Sequence, residues 1–304
     1  MNNDDRHWPL ALLLGSGVAL AARRRGALSL SGAIGAASVG TAVFGAGGPR
    51  ASTLLLLFFG SSTALSRSSR RSMTALSRSS RRSMGDARDA GNEREGPRRT
   101  AAQVLANGGI PAALALLGLP TRSPRVIAAY AGALAAANAD TWATEIGRRS
   151  RTPPRVITTG KPAPPGVSGA VSPLGTLASL AGASLIGVAF ALCYRARLRT
   201  ALGIVAGGAL GASIDSLLGG TLQAVYRCRA CGKRTEDRTH AHGQDAPTLT
   251  LVRGLPYMTN DTVNLCASLT GAIAGALLGR PGPVKSRPSS FSPPPPLADW
   301  SPGP

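Results

Sequence analysis

The chain has 304 residues, 43% of them hydrophobic, 16% charged and 4% aromatic, with 34 Lys and Arg against 14 Asp and Glu for a net charge of +20. That is lean in charge for a soluble protein of this length. The excess of positive charge does not point to nucleic acid, because the basic residues sit in loops between hydrophobic runs and few aromatics are present to stack on bases.

Apolar, Gly- and Ala-rich runs cover residues 9–22, 26–48, 51–65, 101–119, 125–146, 173–194, 200–225 and 262–279. Several approach the ~20 residues that a bilayer-spanning helix needs. The predicted fold is all-α: a polytopic transmembrane bundle of six to eight helices over residues 1–280, integral to a membrane. The composition does not separate plasma membrane, endoplasmic reticulum and plastid envelope. Runs 9–22 and 51–65 are short for a span and read equally as tilted, interfacial or paired re-entrant segments. Small residues recur through "GALSLSGAIGAASVG", "LASLAGASLIG" and "IVAGGALGAS", which lets helix backbones approach closely where no hydrophobic force acts between helices.

The opening "MNNDDRHWPLALLL" puts acids ahead of the first run and lacks a small-residue cleavage site, so no removable signal peptide is expected, although the first helix can serve as a signal anchor. Arg23 to Arg25, the 66–99 segment, the 147–161 loop and the 226–238 loop fall on one side if eight runs alternate, and that side is expected to be cytoplasmic. Arg195, Arg197 and Arg199 fall on the other in the same count.

"TALSRSSRRSM" at 63–73 recurs unchanged at 74–84, too short a unit for a solenoid. With "GDARDAGNEREGPRR" it gives a Ser/Arg-rich segment, 66–99, expected to be a flexible basic loop. The Pro-rich tail, 281–304, is expected to be disordered.

The polar residues inside apolar runs carry the functional signal. In "ANADTWATEIG", Asn138, Thr141 and Glu145 share one helix face, and Asp140 points roughly a third of a turn or more from Glu145. A carboxylate near hydrocarbon costs at least ~2.5 kcal/mol and tends to face a partner or a cavity. Two readings stand: a surface pair neutralised by Arg148 and Arg149, or a Mg²⁺ site completed by substrate phosphate oxygens. The following loop, "PRVITTGKPAPPGVSGAVSPLGT", combines Thr158, Thr159, Gly160 and Lys161 with Gly166, Ser168 and Gly169. Such a loop is either a connector or a phosphate cradle of backbone N–H groups, hydroxyls and one point charge.

Further polar positions are Gln103 and Asn107, Asp215 and Ser216, and Asn260, Asp261 and Asn264. Asp215 has no basic residue next to it in sequence and is expected to meet a cation or a tertiary partner in the bundle. The last group reads equally as an N-cap and polar first turn. Cys228, Cys231, His240 and His242 in "CRACGKRTEDRTHAHG" offer four ligands to a tetrahedral Zn²⁺, or else form an unmetallated loop or a redox pair. Cys193 and Cys266 read as small buried hydrophobes.

The ordered motifs "GALSLSGAIGAASVGTAVFGAGG", "FFGSSTALSR", "AAQVLANGG", "NADTWATEIG", "VITTGKPAPPGVSGAVSPLGTLAS", "SIDSLLGGTLQ", "YRCRACGKRTE" and "TNDTVN" resemble the integral-membrane family that includes transmembrane protein 19 and the plant phytyl-phosphate kinase of tocopherol and phylloquinone synthesis. The likeness covers roughly residues 10–280. It implies transfer of a phosphoryl group from CTP or another nucleoside triphosphate to an isoprenoid monophosphate. His242 stands where the family usually has Cys. Under that implication Asp140 and Glu145 hold Mg²⁺, Asp215 or Asp261 completes the shell, and Lys161 with Thr158 to Gly160 and Gly166 to Gly169 binds the nucleotide phosphates. The partners are then membrane lipids, the isoprenoid monophosphate and the nucleotide. The rival readings are a transporter whose intramembrane acids conduct ions, and a non-catalytic, lipid-binding membrane protein with a zinc-stabilised loop.

Overall fold

A computed structural model describes residues 7–84, 98–121, 123–236 and 249–279, with 70–84 as backbone. The described residues form seven α-helices: α1 (His7–Arg24), α2 (Leu30–Met84), α3 (Ala101–Gly118), α4 (Pro124–Gly147), α5 (Pro173–Tyr194), α6 (Leu198–Thr221) and α7 (Asn260–Leu278). Between them lie a two-stranded ladder, β1 (Arg155–Val156) with β2 (Ala170–Val171), and a three-stranded antiparallel sheet in the order β4 (Arg234–Thr235), β3 (Val225–Cys228), β5 (Leu249–Arg253). Five segments are long and apolar enough to cross a membrane: Leu30–Ser69, Ala101–Thr121, Pro173–Tyr194, Leu198–Thr221 and Asn260–Leu278. The outward side chains, such as Leu117, Leu192 and Leu202, are large, apolar and exposed, as a lipid-facing surface requires.

Helix α2 is two helices joined at one residue. Gly48 adopts φ 65° and ψ −164°, outside helical space and in a region that favours glycine, and Pro49 restarts the helix. The first leg runs alongside α3, with Gly32 at Arg99, Val39 at Gly108 and Gly47 at Leu119. The second leg runs alongside α4, where Tyr130 Oη donates to Ala51 O (2.8 Å), Ser62 Oγ to Asn138 Oδ1 (3.3 Å) and Ser66 Oγ to Glu145 Oε1 (2.7 Å). Helices α3 and α4 are antiparallel neighbours, since Gly118 packs on Val126 across the short turn between them. The legs of α2 therefore run in opposite directions, and runs 26–48 and 51–65 are separate passes. Beyond the second leg, the α2 backbone stays helical through both copies of the repeat to Met84. Residues 85–97 and the Pro-rich tail lie outside the described residues.

Counting each leg of α2 separately, eight passes alternate in direction. One end of the bundle gathers Arg23 to Arg25, Arg99, Arg148 and the three-stranded sheet. The opposite end holds Gly48, the Leu119–Thr121 turn and Arg195 to Arg197, where the Arg50 guanidinium lies 5.9 Å from the centre of the Tyr194 ring.

Helix α4 is the axis of the packing. Every residue from Ala128 to Ala139 is buried, and all but Tyr130, Leu134 and Asn138 are Ala or Gly. The α7 backbone crosses α4 at Gly132 and Gly271, where an added Cβ on either residue would overlap the other's carbonyl oxygen, and again at Ala128 and Gly275. Helix α6 approaches through Gly208 and Gly211, which face Ala135 and Ala136, and α5 through Gly182, which faces Trp142. Contacts this close rely on dispersion and backbone complementarity, the forces left between helices in lipid.

Gly132→Val is expected to destabilise the fold by about 3 kcal/mol or more, read as a fall in the midpoint of thermal unfolding in detergent. Gly17→Ala, where an added methyl meets nothing within 4 Å, should leave that midpoint unchanged or slightly raised.

Candidate active site

The α4 sequence turns polar over its last turns, and those turns open into a cavity of about 640 Å³ at the basic end of the bundle. Asp140, Thr141, Thr144, Glu145 and Arg148 line it from α4, and Asp215 and Ser216 from α6. Gln103 and Asn107, one turn apart on α3, and Asn260 and Asn264, one turn apart on α7, contribute amides from two further sides. Ser66 and Arg99 close the wall beside α2, and Gly166, Ser168 and Gly169 close it toward the aqueous rim.

The acids are in direct contact. The Asp140 and Asp215 side chains lie close enough to interact directly, and Glu236, just beyond β4, lies close enough to act electrostatically on Asp215. Two carboxyl groups at that range must share a proton or a cation. Asp215 Oδ2 is buried without a hydrogen-bond partner, a site open to one more positive ligand. Glu145 accepts from Ser66 Oγ at 2.7 Å, and its backbone oxygen accepts from Ser69 Oγ at 3.1 Å. Arg99 Nη2 donates to the same Ser66 Oγ at 3.3 Å, so a cation stands at the end of this hydroxyl-linked chain.

Loop 154–172 divides into two parts. In the first, the backbone N–H groups of Thr159 and Gly160 both donate to Val156 O (3.2 and 2.8 Å), and Arg155 Nη1 donates to Gly160 O (2.8 Å). This part closes on itself, leaving Thr158, Thr159, Gly160 and Lys161 exposed at the same end of the bundle but off the cavity wall. The second part, residues 165–172, forms the wall. Gly169 has φ 81°, and a Cβ there would overlap the backbone of Gly220, so only glycine seats the loop against α6. Gln223, buried just after α6, fixes the loop to the sheet by donating through Nε2 to Ser168 Oγ (3.1 Å) and Glu236 Oε2 (2.6 Å).

The remaining predicted residues sort by position. Asn138 is fully buried below the cavity, donating to Gly182 O (2.8 Å) and accepting from Ser61 and Ser62 (3.0 and 3.3 Å), so it ties α2, α4 and α5 together. Thr259 caps α7 through Thr262 N, and Asp261 sits in its first turn but does not line the cavity. Cys228 and Cys231 occupy the β3–β4 turn, where Gly232 N donates to Cys228 O (2.8 Å) at φ 71°. Backbone N–H groups of Cys231 and Ala230 hold the Cys228 thiol below the ordinary cysteine range. His240 and His242 lie outside the described residues. Glu236, Gln223, Ser66 and Arg99 were not singled out from sequence. Gln223 lies near the end of the apolar run 200–225, and Ser66, in "FFGSSTALSR", directly follows the run 51–65; those positions are the signal that could have found them.

A family model described as integral membrane protein DUF92 matches residues 13–272. Among curated proteins, Protein PGR of Arabidopsis thaliana is 30% identical over 285 residues, covering 85% of this chain and 91% of the relative. Uncharacterized membrane protein MJ0933 of Methanocaldococcus jannaschii is 32% identical over 180 residues, covering 59% and 62%. No solved structure matches the chain.

Asn138→Leu removes the three hydrogen bonds that join α4 to α2 and α5 through this amide and is expected to cost about 2 kcal/mol. Ser61→Ala should cost about 1 kcal/mol. Chemical denaturation in detergent, with the two variants side by side, checks both the order and the size.

Proposed function

The chain belongs to the DUF92 family of integral membrane proteins, and from that premise we propose that it is a prenyl-phosphate kinase. The γ-phosphoryl group of a nucleoside triphosphate, CTP or another, passes to a phosphate oxygen of an isoprenoid monophosphate. The bond from the γ-phosphorus to the bridging oxygen breaks, a new P–O bond forms, and the products are the prenyl diphosphate and the nucleoside diphosphate. The observation that carries this reading is the Asp140–Asp215 contact in a polar cavity shared with Arg99 and Arg148.

Phosphoryl transfer asks mainly for positioning and charge neutralisation, not for a protein nucleophile. The wall suits both demands. Arg99 and Arg148 supply fixed positive charge, and the amides of Gln103, Asn107, Asn260 and Asn264 with Ser168 supply neutral donors. Asp140 and Asp215, with Glu236 and Glu145 beside them, are the residues that would hold Mg²⁺, and the unpartnered Asp215 Oδ2 fits that role. When bound, Mg²⁺ neutralises charge on the transferring phosphate. Lys161, exposed at the same end of the bundle, would meet the outer part of the nucleotide. Cys228 and Cys231 with His240 and His242 would hold a structural Zn²⁺ in the sheet that carries Glu236. By the basic character of this end, the cavity faces the cytoplasm.

Proteoliposomes supplied with prenyl monophosphates and each nucleoside triphosphate should yield prenyl diphosphate. Asp140→Asn and Asp215→Asn should each lower the rate at least about a hundredfold, and absence of product with every nucleotide would overturn the proposal. Lys161→Ala should raise the KM for nucleotide with little change in kcat. Elemental analysis of the purified protein should find zinc, lost in the Cys228→Ser, Cys231→Ser double variant.

A further inference from the structure

The polar cavity has an apolar neighbour. A second cavity, of about 330 Å³, lies among α1, both legs of α2 and the first turns of α3. Val18, Val39, Phe44, Leu55 and Phe59 give its wall its character. Gly15 and Gly40, both on its wall, let α1 and α2 pack closely beside it. Arg99, Gln103 and Asn107 belong to both walls, so the two cavities share an edge. From that edge the cleft reaches Pro49 at the opposite end, a run that on the second leg of α2 covers Phe59 to Pro49, about 15 Å of helix.

We propose that this cleft binds the hydrocarbon tail of a single-chain isoprenoid monophosphate whose phosphate lies in the polar cavity. The identity of the head group rests on the kinase reading; the tail site does not require that transfer occur. An amphipathic phosphate needs adjoining polar and apolar compartments with donors where they meet, and the Arg99 guanidinium and the Gln103 and Asn107 amides stand at that junction. The charge is complementary, since a phosphate monoester is anionic and Arg99 and Arg148 line its end. A cavity of about 330 Å³ suits one chain rather than the two of a diacyl lipid. Moving a tail from bilayer to cleft gains little hydrophobic energy, because lipid is as apolar as the wall. Selectivity therefore comes from shape, and a bulky residue in the cleft should be poorly tolerated by the ligand.

The test uses the full chain in nanodiscs and geranylgeranyl monophosphate carrying a photoreactive diazirine midway along its tail. Labelling should map to residues 14–19 and 36–59, and should be competed by unlabelled geranylgeranyl monophosphate but not by phosphatidic acid. Ala36→Phe, which places a ring in the cleft, should lower labelling at least about tenfold while leaving nucleotide binding unchanged. Leu55→Trp repeats the block from the opposite wall. Labels on the outer faces of α5 and α6, equal competition by phosphatidic acid, or labelling indifferent to both variants would overturn the assignment. Labelling as expected with no diphosphate formed removes the kinase reading alone. Diphosphate formed with labels elsewhere removes the tail site alone.

Discussion

Close backbone contact around α4 is the condition on which the rest of the molecule depends. A helix bearing Asp140, Thr141, Thr144 and Glu145 in its last turns would face a heavy penalty if it met lipid directly. Here it is enclosed by α2, α5, α6 and α7, each approaching through small residues: Ser61 and Ser62, Gly182, Gly208 and Gly211, and Gly271 and Gly275. The Ala-rich run from Ala128 to Ala139 thus acts as a buried post, and only where its neighbours draw apart does the polar cavity open. Asn138 marks the boundary: its amide is hydrogen-bonded to α2 and α5, and the acids begin two residues later.

The electrostatics follow from that enclosure. Carboxyl groups from α4 and α6 come together on the cavity wall, and a third, Glu236, is brought in by the sheet. Such a cluster concentrates negative potential at one point, while Arg99 and Arg148 place positive charge on the same wall. Opposed charges around one cavity are suited to holding a cation together with phosphate, since each answers the other's need for neutralisation.

Much of this was legible in the sequence. All eight apolar runs became helical segments of the bundle, counting each leg of α2, because run length and small-residue content respond to the bilayer and to helix packing alike. Asp140, Glu145, Asp215, Asn107, Asn260 and Asn264 all line one cavity, because a polar residue in an apolar run has few other places to go. The failures have a common physical origin. Glu236 is brought to the cavity by a short sheet whose pairing is non-local, and no periodicity announces it. Thr158 to Lys161 looked like donors in composition, but whether a backbone N–H is available depends on turn geometry, and Val156 O takes two of them. The reversal at Gly48 was foreshadowed only by a gap between two runs.

The fit of Gly169 against Gly220 ties loop 165–172 to the last turns of α6, at the basic end of the bundle. A membrane-crossing helix adjusts its lean to the thickness of the surrounding hydrocarbon. Leaning α6 would therefore carry the mouth of the cavity with it and shift Asp215 against Asp140, so bilayer thickness becomes a variable the site can feel without any ligand acting as intermediary.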